Sequence, residues 1–473
     1  MNFEQNHKQC VDKLIWATKE LRVEIEPTQL AKIAELIVQT MTGPWRYFHS
    51  TEHIFEVGGG EKPIEVLAAL FHDVVYVQVD QSVNFNLSYY INPFIKQSRD
   101  SLVIREESEL LQDPIFEMVA STFGFTPGQI LSPYQGENEF LSALVGAKVL
   151  EPFLKASHIL QIIACIEATI PFQSRDEEGL TSSDRLYLRL QKTNQKLDIG
   201  MSEAELIETV KSSVRLSNRD VGSFAYPSSA RFLDCTWSLL PETNHNLENA
   251  NSYTANQYRV ALQKMAGFMN FLKPEVVFKR FKEEPDEQTY NRMVDMAKRN
   301  IEIAKLYLGS KLFTIAIIEA LSLRIGQGIA LSIMVGELPT FGFSGCRLVN
   351  FIPNVPNSYP PKTDIELEVL HLLEVGRIKS STYDIKNSPL ATFTAKSIGF
   401  DGIRQMMDIV QEFFQGNVSS EDFLSRCNPN VTETVIEGIL QLLDTRKALL
   451  CMPRNTNINT SMSQASQSRI LSQ

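Results

Sequence analysis

The chain has 473 residues, of which 43% are hydrophobic and 21% charged, and carries a net charge of −11 at neutral pH. That length admits two or three domains with ample cores, and the composition is that of a soluble globular protein. No run of Lys and Arg forms a phosphate-tracking stripe, which argues against nucleic acid and against a polybasic membrane contact, while a small anionic substrate stays admissible where a bound cation reverses the local field.

Taken in chain order, helical periodicity dominates. "CVDKLIWATKEL", "PTQLAKIAELIVQTM", "PIEVLAALFHDVV", "HILQIIACIEATI", "EAELIETVKSSVRL" and "QYRVALQKMAGFMNFL" each repeat apolar residues at steps of three and four. Ser202 with Glu205, and Thr363 with Glu366, fit capping boxes at helix starts. Period-2 alternation is scarce, and the best strand candidates lie around 341–355. Breaks fall at 126–138, 171–184 and 241–253, and the stretch 336–364, rich in Pro and Gly, predicts a linker between domains. The apolar run 311–336 is interrupted by Arg324, Gln327 and glycines, so it reads as core helix and not as a membrane span. Beyond 364 the pattern suggests a small helical domain, and the polar end from 456 to 473 reads as a disordered tail. The N-terminus lacks a signal-peptide layout, and the six cysteines (10, 165, 235, 346, 427 and 451) show no pairing pattern, which points to buried thiols in a reducing cytoplasm.

Three of the seven histidines fall in "YFHSTEHIFEV" (47–57) and "LAALFHDVVY" (67–76). If 49–57 is helical, His49 and His53 share one face. His72 and Asp73 then close the next helix, whose apolar stripe is Leu67, Leu70, Phe71 and Val74. Imidazole nitrogen with carboxylate oxygen suits a divalent cation such as Zn, Mn, Fe or Mg. Packing histidines are the commoner case, and His158, His245 and His371 are read that way. For the cluster at 49–73 a metal site and a set of packing residues stand at even odds on the residues alone.

The same segments resemble the HD superfamily of metal-dependent phosphohydrolases. "YFHSTEHIFEV" is similar to the opening motif of cyclic nucleotide phosphodiesterases, and with "LFHDVVY" it resembles the patterns of bacterial HD phosphohydrolases. The resemblance covers roughly residues 25–235. It implies an all-α, HD-domain-like helical bundle over 1–250, to which the sequence adds a helical extension at 251–340 and further C-terminal helices at 341–455. By resemblance His53 is the first metal ligand, His72 with Asp73 the central pair, and His49 the proton donor to the leaving oxygen. The last ligand is sought downstream, where Asp220 in "VRLSNRDVGSF" follows a predicted helix; a helix cap is the competing reading. Glu167, on the apolar helix of "IIACIEATIPF", is assigned a role orienting water or a ligand, against an exposed position on the polar edge of its helix. "GGG" at 58–60 ends the first helix early, and no histidine closely follows Asp73, which disfavours oxygen-activating di-iron chemistry.

The expectation is therefore a phosphohydrolase using one or two divalent ions, with Asp73 able to bridge to a second. It would act on a small phosphorylated substrate such as a nucleotide, by a metal-activated water with His49 as general acid. Tyr47 and Arg46 lie close enough in sequence to meet a phosphate, and surface packing explains them equally well. The alternatives are an HD-fold binding or regulatory protein without turnover, and a wholly structural helical protein.

Overall fold

The computed structural model describes residues 2–99, 101–248, 252–337 and 345–451, with side chains through 444. The expected tail at 456–473 and the part of the strand candidate at 341–344 lie outside the described residues. Apolar steps of three and four fold as the sequence predicts. The chain begins α1 (Phe3–Glu20), α2 (Pro27–Met41), α3 (Thr51–Gly58), α4 (Pro63–Phe71), α5 (Val77–Asp80) and α6 (Ser88–Ile91). It continues with α7 (Pro114–Phe123), α8 (Glu137–Leu150), α9 (Ala156–Glu167), α10 (Ser182–Lys196), α11 (Glu203–Asp220) and α12 (Ser229–Thr243). The all-α class holds: among the described residues the one sheet is an antiparallel hairpin, β1 (Ile95–Ser98) with β2 (Ser101–Ile104). The strands expected near 341–355 are not found in the described part, where Leu348–Asn350 forms a single 3-10 turn.

Two compact units share the chain. The first takes Met1–Asn249, Gln257–Leu312 and Pro361–Ser388; the second takes Ala250–Asn256, Phe313–Pro360 and Pro389–Gln473. The expected succession of segments with a linker at 336–364 thus becomes an interleaved division, because the strap 361–388 is tied into the first unit. Its Asp384 carboxylate accepts from Trp237 Nε1 at 2.8 Å, Tyr258 OH at 2.8 Å and Lys311 Nζ at 3.0 Å. Trp237 lies on α12, so the strap holds the helix that also carries Glu242.

The core of the first unit is a layer of helices built around α4, α8 and α9, whose apolar residues are almost all fully buried. Two glycines permit close helix approach there. A Cβ on Gly58 would lie 3.3 Å from Ala69 Cβ, and one on Gly146 would lie 3.0 Å from Phe71 Cβ. The triple glycine ends α3 as expected, with Gly59 at φ +60°. Buried Glu65 on α4 then receives Arg215 at 2.9 Å and Arg219 at 2.8 Å, and Arg219 also donates to Val57 O at 2.6 Å. These bonds lock the end of α11, and with it Asp220, against α3 and α4. The capping box of Ser202 and Glu205 forms at the other end of α11; for Thr363 only the Glu366 N–H bond forms, since the Glu366 carboxylate takes Lys362 N instead.

Later helices are α13 (Ala255–Phe271), α14 (Glu287–Ile325), α15 (Leu331–Val335), α16 (Asp364–Glu374), α17 (Pro389–Phe414), α18 (Ser420–Arg426) and α19 (Pro429–Cys451). In the second unit α17 kinks at Gly399, φ +71°, and Phe413 stacks on Phe423 with ring centroids 4.9 Å apart. By length and composition α14 is apolar enough to cross a membrane, and 83% of its apolar window is buried within the protein. Cys10, Cys165, Cys235, Cys346 and Cys427 are free; Cys10, Cys165 and Cys427 are buried, Cys235 is half-buried and Cys346 exposed.

Candidate metal centre

His53 sits in the first turn of α3, His72 and Asp73 follow the last residue of α4, and Asp220 is the final residue of α11. The sequence reading placed Asp220 just beyond that helix. Four side chains on three stretches of backbone thus converge. His53 Nε2 lies 3.0 Å from Asp220 Oδ1 and 3.5 Å from Asp73 Oδ2. His72 Nε2 lies 3.0 Å from Asp73 Oδ2 and 3.5 Å from Asp220 Oδ1.

Those separations suit a shared ion. Ligand atoms about 2.1 Å from one ion stand about 3.0 Å apart at a right angle and about 3.4 Å apart at the tetrahedral angle. The tautomer is set from outside the cluster, since His72 Nδ1–H donates to Ala69 O at 2.8 Å, a free carbonyl at the end of α4, and leaves Nε2 facing inward. His72 Nε2 and Asp73 Oδ2 are both buried and, though 3.0 Å apart, neither has a hydrogen-bond partner. His53, His72 and Asp73 alone bring three potential ligand atoms within 4.8 Å of one another.

The electrostatics agree. Burial would disfavour charge on His72, yet Asp73 and then Asp220 hold its pKa well above 6.5. Despite burial, His72 and then His49 keep Asp73 ionised far below its ordinary range, and His53 and then His72 hold Asp220 at about 2. Two carboxylates held ionised under cover require a positive charge between them, which a proton or a divalent cation supplies, and the two compete for the same lone pairs.

His49 differs from expectation. It precedes α3 instead of lying one turn earlier on it, because the Glu242 carboxylate gathers the chain there. Glu242 Oε1 accepts the backbone N–H groups of Tyr47, Phe48 and His49 at 2.8, 2.7 and 2.9 Å, and Oε2 meets His49 Nδ1 at 2.6 Å. The ring still stands beside the centre, 5.9 Å from the His53 ring and edge-on to Tyr76 at 4.4 Å. Burial opposes a charged His49, but Glu242 and then Asp73 outweigh it and raise the pKa. In return His49 lowers Glu242 against the effect of its own burial.

Arg46 is not available to a substrate. It is buried, forks onto Asp80 at 2.9 and 2.6 Å, and donates Nη1 to the Asp73 carbonyl at 2.8 Å, so that it fixes the backbone of a ligand residue. Glu167 is buried and paired with Arg189 of α10, and so neither joins the four ligand side chains nor lies on an exposed edge. His245 stacks on Trp45, ring centroids 4.1 Å apart, as a packing residue does, whereas His371 is exposed and so is not the packing histidine the sequence suggested.

Three charged residues near the centre went unread in the sequence. Glu242 lies in "PETNHN", which reads as a break. Glu139, in the first turn of α8, has a buried Oε2 without a hydrogen-bond partner; burial, and then the Asp73 and Asp220 charges, push its pKa up to about 7. Lys279 is buried, its backbone paired both ways with Asn218 and its Nζ held by the carbonyls of Ala168 and Ile170; burial lowers its pKa to about 8. Only Glu139 left a signal, a carboxylate entering an otherwise apolar helix.

Compared with known proteins, the chain matches no family model, no curated protein and no solved structure.

Proposed function

We propose that the chain is a metal-dependent phosphohydrolase that cleaves a nucleotide or another small phosphate ester. The observation that carries the reading is that the Asp73 and Asp220 carboxylates each stand 3.0–3.5 Å from both the His53 and the His72 imidazoles, with the His49–Glu242 pair alongside. The resemblance of the two histidine motifs to HD phosphohydrolases supports the same chemistry. A divalent cation held by those four side chains would activate a water near neutral pH and draw charge from a phosphoryl oxygen.

The protein's own residues supply the rest. His49, kept protonated by Glu242, donates its Nε2 proton to the departing oxygen; its Nδ1 is committed to the carboxylate. Glu242 also fixes the ring in place by binding the backbone on which it hangs. Arg46 holds the Asp73 carbonyl and Ala69 holds His72, so two of the four ligands are oriented before any ion arrives. Tyr76 walls one side of the His49 ring.

The test combines elemental analysis with hydrolysis of bis-p-nitrophenyl phosphate in added Mn²⁺. Purified protein should hold a divalent ion and release p-nitrophenol, and His72→Ala should lose both. Wild-type protein that carries no metal and binds none at micromolar concentration overturns the reading; metal without hydrolysis of any ester leaves a binding protein.

A further inference from the structure

Pro241 stands inside α12, one position before Glu242. A proline within a helix has no N–H to give the carbonyl four residues back, and its ring crowds that carbonyl aside. In α12 the carbonyl so deprived is that of Trp237, a buried residue, and an unmet buried carbonyl is costly. The last turn of α12 presents the Glu242 carboxylate to the backbone of Tyr47, Phe48 and His49. It is therefore the turn that the helix ladder by itself leaves under-supported.

The missing bond is made by the strap. Tyr383 OH donates to the Trp237 carbonyl, and the Tyr383 side chain is fully buried. The same stretch holds that face of α12 at further points. Trp237 Nε1 donates to Asp384 Oδ2 at 2.8 Å, and Asp234 Oδ2 accepts from Lys379 N at 3.2 Å. The Arg377 guanidinium lies over the Trp237 ring, 4.4 Å from its centroid. Beyond Pro241, the Glu242 carbonyl accepts from His245 Nε2 at 3.1 Å, and His245 Nδ1 accepts from Gln81 Nε2 at 2.8 Å. The turn that bears Glu242 is thus held at the Trp237 carbonyl by Tyr383 and at the Glu242 carbonyl by His245.

We propose that Tyr383 is a positioning residue for the general acid: its hydroxyl completes α12 where Pro241 interrupts it, and so holds the Glu242 carboxylate against His49. Tyr383 acts through Glu242 and not by contact with the reacting atoms. Its catalytic meaning rests on the phosphohydrolase reading above, in which His49 is the proton donor. Its effect on the backbone of residues 47–49 does not depend on that reading.

The test is a double-mutant cycle with Pro241→Ala, which restores the N–H that the Trp237 carbonyl lacks. The first readout is amide hydrogen exchange at Tyr47, Phe48 and His49 in the metal-free full chain, with no ester present. Tyr383→Phe should speed it about tenfold, the order expected for one lost buried hydrogen bond, while the amides of α9 keep wild-type protection. With Pro241→Ala added, the three amides should return to within about twofold of wild type. The second readout is turnover of an alkyl phosphate ester with Mn²⁺. In Tyr383→Phe kcat should fall about tenfold with KM within about threefold, and the double variant should recover. A tyrosine that merely fills the core would cause losses that Pro241→Ala does not repair. Unchanged exchange at 47–49 in Tyr383→Phe, or fast exchange that persists in the double variant, overturns the proposal. Should Tyr383→Phe be insoluble, a soluble double variant with wild-type exchange supports it and an insoluble one overturns it. Protein that shows the exchange cycle but cleaves no ester sinks the hydrolase reading alone; protein that cleaves ester without the cycle sinks this proposal alone.

Discussion

Replacing Glu242 with Gln tests the general-acid assignment most directly. The amide oxygen can still accept the N–H groups of Tyr47, Phe48 and His49, so the local fold should persist while the negative charge facing His49 Nδ1 at 2.6 Å disappears. A charge-assisted bond of this kind is worth about 2 kcal/mol beyond a neutral one in a buried setting. At 1.36 kcal/mol per pH unit, the His49 pKa should fall by about 1.5 units, or about 30-fold in the protonated fraction at high pH. The sign follows from the raised pKa of His49. The active form is protonated, so wild-type activity persists through 6.5 and declines as pH rises through the higher folded value. In Glu242→Gln that decline should begin at lower pH. The assay is a pH–rate profile on two esters with the same phosphoryl group, one releasing p-nitrophenol and one an alkyl alcohol. The alkoxide cannot leave without a proton, whereas p-nitrophenolate can, so the loss should be far larger for the alkyl ester. A limb that moves by less than about 0.3 unit, or equal losses on both esters, refutes the role of His49 and Glu242.

Three further outcomes are expected. Saturating Mn²⁺ should raise the melting temperature of the wild-type protein by the equivalent of about 2.7 kcal/mol at 100 times Kd, and His72→Ala should abolish the rise; scanning calorimetry decides. Gly146→Ala should cost about 1–3 kcal/mol in urea unfolding, because its Cβ would lie 3.0 Å from Phe71 Cβ, and it should weaken Mn²⁺ binding by displacing the neighbouring His72. In the metal-free protein, Asp73 and Asp220 have folded pKa values below 3.8, so their contribution is complete above 3.8 and lost as pH falls through those values, about 2 for Asp220. Urea midpoints between about pH 5 and 2 should drop steeply, and the Asp220→Asn variant should flatten that drop.

How much of this was legible beforehand depends on the range of the interaction. Helix positions in the first half follow from apolar residues at steps of three and four, and the stop after α3 from three consecutive glycines, all set within a few residues. His53, His72 and Asp73 were legible for the same reason, as metal-ligand residue types cluster at helix ends a short distance apart. Asp220 was reached through motif resemblance, but its place depends on Arg215 and Arg219 gripping Glu65 across 154 residues or so of chain. The exposed alternative for Glu167 fails because Arg189 waits on another helix, which nothing in "IIACIEATI" announces.

Local sequence therefore determined which segments coil and which side chains can ligate an ion. Tertiary structure alone decided the rest: that His49 leaves the helix to meet Glu242, that Arg46 turns inward to Asp80, and that Glu139 of α8 buries a carboxylate oxygen where the Asp73 and Asp220 charges act on it. The physical reason is common to all three. Each is a charge removed from water, its energy set by partners 34 to 193 residues away in the first two cases and by ligands of other helices in the third, and no window along the chain contains both sides of such a pair.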